Sequence, residues 1–327
     1  MEKSTMAGAI NRALRDAMTE DDTVVVFGED VGPLGGVFRV TDGLSATFGP
    51  ERCFDTPLAE SGIVGMAVGM AMNGFRPVVE MQFDAFAYPA FEQIVSHVAK
   101  MRNRTAGAVT LPIVIRVPYG GGIGAVEHHC DSSEAYYAHT PGLHVFTPAT
   151  AADAYGLLRS AIAGSDPVVF LEPKKLYWTK EELDPSVSAP PPGRAVVRRS
   201  GTDVTLVAYG PSVPVALDAA EVAATEGRSI EVVDVRTLVP FDDLTVCASV
   251  ERTGRAVVVA EAPGFASVAS EIAVRVSERC FSALAAPVRR VTGLDIPYPP
   301  PAYEAFHLPS ADRILDVVDD LQWEDEL

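Results

Sequence analysis

The sequence predicts an α/β protein of two domains, each built on a parallel or mostly parallel sheet covered by helices. Three features predict it. Short, continuously apolar runs of strand length recur along the chain. Helical patterns separate them, as a parallel sheet buried on both faces requires. A proline-rich stretch interrupts the alternation once, and beyond it the alternation starts again.

The first domain is expected over residues 1–183. Its strand candidates are residues 23–27, 77–81, 111–117 and 167–171. None alternates polar with apolar residues, so each is expected to be buried on both faces. A helix is predicted just after Pro57, which suits a helix entry, with Ile63, Met66, Ala67 and Met70 at helical spacing. Further helices are predicted over residues 90–101 and 151–162. Residues 184–194 are read as a linker, since Asp-Pro-Ser-Val-Ser-Ala-Pro-Pro-Pro-Gly over 184–193 is stiff and extended. The second domain, 195–327, has strand candidates at 204–209, 230–235, 255–260 and 288–292. Its helices are predicted at 213–225, 267–279 and 311–321, with a proline-rich turn from Pro297 to Pro301.

Composition narrows the function. With 327 residues, 48% hydrophobic and 21% charged, the chain can bury two cores and has no apolar run of membrane-spanning length. Residues 1–6 lack the basic region and apolar core of a secretion signal. Cys53, Cys130, Cys247 and Cys280 are scattered without metal-ligand spacing, which fits reduced thiols and a cytoplasmic protein. A net charge of −18 argues against nucleic-acid binding, where clustered Lys and Arg meet phosphates. The same charge suits a basic protein partner, or simply solubility.

Three segments carry candidate chemistry. Glu60 is a lone carboxylate in a small, apolar stretch that includes Gly62, Gly65 and Gly69; the stretch is built to be buried and lets another backbone or a flat ligand approach. A glutamate in a first helical turn also complements the helix dipole, and position alone leaves both readings open. Phe83, Phe86, Tyr88 and Phe91 crowd the end of a strand, where they could stack on a heterocycle or serve as core. Gly120, Gly122 and Ala125 match a dinucleotide-loop pattern, yet no helix opens on them. His128 and His129 come next in the chain. Adjacent histidines point in different directions, which disfavours a metal site, whereas a loop histidine above a parallel sheet is placed for proton transfer near neutral pH.

Taken in order, residues 55–62, 82–86 and 127–136, followed by His139-Thr140-Pro141-Gly142-Leu143, closely resemble the beta subunit of the thiamine-diphosphate-dependent decarboxylase component of 2-oxo-acid dehydrogenase complexes. The likeness continues through Phe170 to Tyr177 and into the second domain. It implies a pyrimidine-binding domain followed by a transketolase C-terminal-like domain. Glu60 matches the glutamate that hydrogen-bonds the cofactor's aminopyrimidine and promotes its imino tautomer. Phe86 matches an aromatic packed on that ring, and Gln82 of the same segment is expected at the cofactor. His129 matches the histidine that assists acyl transfer to the lipoyl group, with His128 beside it; Glu29 matches an acidic residue of a proton path between paired active sites. Some members also bind potassium largely through main-chain oxygens, and the matched positions are Ile113, Ala161, Ile162, Gly164 and Asp166.

An absence carries equal weight. The Gly-Asp-Gly segment followed by Asn some thirty residues later, by which this cofactor class holds magnesium and diphosphate, is missing. In the family it lies on the alpha subunit, so the resemblance implies a site shared between chains, with magnesium held by alpha, in a heterotetramer of two alpha and two beta chains. The C-terminus is strongly anionic (Asp312, Asp316, Asp319, Asp320 and Glu324-Asp325-Glu326); the family's C-terminal domain docks the basic subunit-binding domain of the dihydrolipoyl acyltransferase, whose lipoyl domain receives the acyl group, and Asp295 lies in a segment matched to that interface. A solvated helix with a frayed tail is the plainer account of those charges. Residues 127–129 and 172–177 look more like enzymes for branched-chain 2-oxo acids than for pyruvate. A non-catalytic assembly scaffold is the reading from another class; Glu60, Phe86 and His129 together argue against it.

Overall fold

The computed structural model describes residues 2–185 and 189–321, which divide into two units: 2–119 with 136–185 and 189–192, and 120–135 with 193 onward. In the first unit, β1 (Val24–Gly28), β2 (Cys53–Asp55), β3 (Arg76–Glu80), β4 (Val114–Tyr119), β5 (His144–Phe146) and β6 (Val168–Pro173) run parallel in the order β5-β6-β4-β3-β1-β2. β1, β4 and β6 are buried along their whole length, as their largely apolar runs predict, and Arg116 of β4 and Glu172 of β6 are buried with them. β2 and β5, three residues each, are too short to stand out as runs in the sequence.

Three helices frame this sheet: α1 (Met6–Glu20), α2 (Glu60–Met72) and α3 (Ala151–Ala163). Thr5 caps α1 by accepting from the Gly8 N–H at 3.0 Å, and Thr150 caps α3 by accepting from the Asp153 N–H at 3.1 Å. Ile10, Leu14 and Met18 of α1 share one core with Leu157 and Leu158 of α3 and with Val24, Val78 and Phe170 of the sheet. Each such fully buried side chain contributes about 1.5–3 kcal/mol.

The regular helix expected over 90–101 is not formed. A 3₁₀ turn (Ala85–Ala90), one α-turn (Phe91–Gln93) and a π-turn (Ile94–Val98) occupy most of it, with a separate short helix at Met101–Arg104. The Ala99 N–H reaches the Ile94 carbonyl, one residue wider than an α bond. Gly142, at φ +103°, approaches the Ala99 carbonyl so closely that a Cβ would stand 2.0 Å from it. That packing is set by a segment some forty residues on, so local spacing did not carry it.

In the second unit, β7 (Val196–Arg199), β8 (Val204–Ala208), β9 (Ile230–Asp234), β10 (Ala256–Pro263) and β11 (Arg289–Gly293) lie in the order β11-β10-β8-β9-β7, parallel except for the antiparallel edge strand β7. α4 (Ser212–Thr225), α5 (Asp243–Thr253), α6 (Val268–Arg279) and α7 (Ala311–Asp319) cover it. Glu324, Asp325 and Glu326 lie outside the described residues. Among the described residues no helix is long and apolar enough to cross a membrane.

Candidate active site

Strands β2, β1 and β3 are neighbours, and the carboxyl end of each feeds a segment bearing a predicted site residue. β1 ends at Gly28, so Glu29 follows directly. β2 ends at Asp55, five residues before Glu60 opens α2. β3 ends at Glu80, just ahead of Gln82 and the turn that carries Phe86. Ligands of parallel sheets bind at this end.

Hydrogen bonds tie the three segments together. Gln82 Nε2 donates to Asp30 Oδ2 at 3.1 Å, the Gly32 N–H to Asp55 Oδ1 at 2.6 Å, and the Ser61 hydroxyl to the Pro89 carbonyl. The last bond joins the start of α2 to the turn carrying Phe86. Phe86 is half-buried and meets Phe83 edge-on at 5.4 Å, and Phe83 meets Phe38 the same way at 5.6 Å. These rings therefore form a rim, neither a closed core nor an open surface.

Glu29 is buried, and burial raises its carboxyl pKa, with the Glu60 and Asp30 carboxylates adding to the rise. Its Oε1 is buried with no hydrogen-bond partner among the described residues. Two carboxyls that feel each other beside an aromatic rim can hold a flat, nitrogen-bearing ring and pass it a proton. Glu60 itself is half-buried, and as the first residue of α2 it complements the helix dipole.

The burial expected around Glu60 is only partly realised. Ile63, Val64, Ala67 and Ala71 are buried, whereas Leu58 is 78% exposed and Met66 and Met72 face outward. One side of α2 rests on the chain and the other is an open apolar surface.

Beneath the site lies a charge network that sequence reasoning missed. Arg116 of β4 donates to Glu80 of β3 at 2.6 Å and to both oxygens of Glu172 of β6 at 2.6 and 2.9 Å, and the Tyr177 hydroxyl donates to Glu172 at 2.6 Å. All four are buried, and burial pushes the Glu80 carboxyl and the Tyr177 phenol up. A charged residue inside each of three apolar strands was the available signal.

In the second unit, loop 120–124 precedes a 3₁₀ turn, Glu127–His129. His128 is exposed, 4.0 Å from Glu127, while His129 is half-buried. The loop is held by acids and a phenol. The Gly121 N–H donates to Glu261, and the Gly122 N–H donates to Glu304 at 2.9 Å and to the Tyr298 hydroxyl at 3.3 Å. Tyr298 in turn donates to Glu304 at 2.7 Å. A Cβ on Gly121 would stand 1.8 Å from the Tyr298 hydroxyl, which is why glycine is required there. No α-helix opens on this loop; the short 3₁₀ turn Glu127–His129 follows it. Among the described residues no cluster of His, Cys, Asp and Glu could hold a metal ion. On the same unit Asp295 is exposed and accepts from the Phe265 N–H at 2.9 Å, whereas Asp319 and Asp320 pair with Arg228 and Arg289.

Of the five positions matched to potassium, Ile162 and Gly164 offer their carbonyls to the Arg76 guanidinium at 2.9 and 2.7 Å. The Asp166 carboxylate is paired with Arg102. The carbonyls of Ile113 and Ala161 accept from the N–H groups of Val168 at 2.9 Å and Gly164 at 3.3 Å.

Comparison with known proteins gives a consistent picture. Residues 2–179 match the transketolase pyrimidine-binding domain and residues 193–314 the transketolase C-terminal domain. Over 314 residues, 96% of this chain and 93% of the other, the chain is 56% identical to "Pyruvate dehydrogenase E1 component subunit beta" of Leifsonia xyli subsp. xyli. It is 55% identical over 316 residues (96% and 91%) to "3-methyl-2-oxobutanoate dehydrogenase subunit beta" of Mycobacterium tuberculosis, and 46% identical over 317 residues (97% and 98%) to the pyruvate dehydrogenase beta subunit of Bacillus subtilis. A solved structure described as "Split gene transketolase, inactive beta4 tetramer" superposes with a TM-score of 0.78 at 25% identity, covering 97% of both chains.

Proposed function

Because this chain belongs to the beta subunits of thiamine-diphosphate-dependent 2-oxo acid dehydrogenases, we propose that it supplies the pyrimidine half of an active site completed by an alpha subunit. The observation that carries the reading is the Glu29–Glu60 pair at the carboxyl end of the sheet, with an unpartnered buried oxygen on Glu29 and the Phe83–Phe86 rim beside it. That donor set fits an aminopyrimidine, which offers both a ring face and nitrogen hydrogen-bonding groups. When bound, thiamine diphosphate supplies the nucleophilic carbon that takes up the 2-oxo acid and the electron pair left behind by carbon dioxide. Glu60 would hold a proton at its carboxyl and share it with a pyrimidine nitrogen, while Glu29 would relay protons to it. Phe86 would pack on the ring face, Gln82 would steady the adjoining loop through Asp30, and His129 would move a proton during acyl transfer to a lipoyl group, with His128 beside it.

In this reading the magnesium-diphosphate segment, which this sequence does not contain, is contributed by the alpha subunit. The assembly in this reading is a heterotetramer of two alpha and two beta chains, and exposed Asp295 belongs to the surface that docks the basic subunit-binding domain of a dihydrolipoyl acyltransferase. We favour branched-chain 2-oxo acids as substrates, on residues 127–129 and 172–177. Pyruvate is the second reading, favoured by the 56% identity to a pyruvate-type subunit.

The test is carbon dioxide release by this chain with and without its alpha partner, given thiamine diphosphate, magnesium and either 3-methyl-2-oxobutanoate or pyruvate. Activity only in the pair is expected, with the branched acid preferred. Activity from the chain alone would remove the shared site. Silence of an assembled pair on both substrates would favour the scaffold.

A further inference from the structure

We propose that the guanidinium of Arg76 takes the structural place that a potassium ion has in some relatives, so that this chain closes its carbonyl cluster with its own cation and needs no metal there. The five matched positions lie at the C-terminal end of α3 and just before the adjacent strands β4 and β6 of the first unit. The last carbonyls of a helix have no intrahelical donors and sit at the negative end of its dipole, so they attract a cation. Ile162 and Gly164 supply two such oxygens. Arg76 Nη1 donates to both, at 2.9 and 2.7 Å, and its Nε lies 3.3 Å from Asp21. The backbone N–H of Arg76 is itself fixed on the Thr23 carbonyl at 2.9 Å, so the side chain projects from an anchored strand start.

The remaining positions are met in the same way. Arg102 neutralises Asp166, the one side-chain charge in the set, and the carbonyls of Ile113 and Ala161 take backbone N–H groups. A monovalent ion bound by the Ile162 and Gly164 oxygens would share them with a guanidinium and lie against its charge. The donor set therefore suits an arginine rather than a free ion. Its structural effect is to tie residue 76 to residues 162 and 164, holding the start of β3 against the end of α3.

Thermal unfolding of the full-length chain tests this independently of any catalytic role. Wild-type protein is compared in KCl, NaCl and tetramethylammonium chloride at matched ionic strength. Equal midpoints are expected; a rise confined to KCl and saturating with concentration would overturn the proposal, since a ligand that binds only the folded state raises its stability by mass action. Arg76→Ala should lower the midpoint in all three salts, and an unchanged midpoint would show that the guanidinium closes nothing. Should Arg76→Ala fail to fold, Arg76→Lys decides. Lysine brings a cation without the planar fork, so a midpoint between wild type and unfolded is expected, and a lysine variant equal to wild type only in KCl would overturn the proposal.

Discussion

Glu60 and His129 are proposed to act on different steps, and two substitutions separate them. Glu60→Gln preserves size and hydrogen bonding at the start of α2 but cannot release a proton. Decarboxylation by the alpha–beta pair should fall about 10²–10⁴-fold while assembly persists. Near-normal turnover would remove the assignment. His129→Ala should depress turnover of the whole complex more than decarboxylation read with an artificial electron acceptor. A small, equal loss in both assays would make His129 a bystander. Among these residues the sequence was partly legible. Glu60 was visible as a polar residue among apolar ones and Glu29 only through family likeness, since nothing in its neighbours announces that it would be buried beside another carboxyl. Tyr298, Glu261 and Glu304 left no local signal, because the glycine loop they hold lies 140 to 182 residues away in sequence.

The strand ends are positioned by elements rather than by single residues, and Arg116 shows how. It joins β3, β4 and β6 through two carboxylates, all three side chains buried. Replacing it by Leu leaves Glu80 and Glu172 buried without their cation, so Arg116→Leu should destabilise the chain by about 3–5 kcal/mol. Urea unfolding would show this as a lower midpoint with an unchanged slope; a loss under about 1 kcal/mol would mean that the buried network contributes little to holding the three strands together. Long elements were readable from periodicity: α3, predicted over 151–162, spans Ala151–Ala163, and α6, predicted over 267–279, spans Val268–Arg279. The stretch 90–101 was not, because a close backbone approach from Gly142 accompanies a wide π-turn that side-chain spacing does not encode.

Across the full chain, apolar surface stays open on each unit, including Leu58, Met66 and Met72 on the first and Phe265 and Phe281 on the second. Surface of this kind marks places that partners cover. Mixing with the alpha subunit should therefore slow amide exchange across α2, read by hydrogen–deuterium exchange; unchanged rates in a pair that has gained activity would place the alpha contact elsewhere. The α/β class was legible in the chain alone, because apolar runs of strand length and helical periodicity are local patterns dictated by burial. The family was legible too, through motifs in fixed order. Which charges meet was settled only by folding. Arg116 finds Glu80 and Glu172, and Arg76 finds Ile162 and Gly164, across 36 to 88 residues of chain. Electrostatic and hydrogen-bond partners are chosen by distance in space, and sequence spacing within a single element cannot express that.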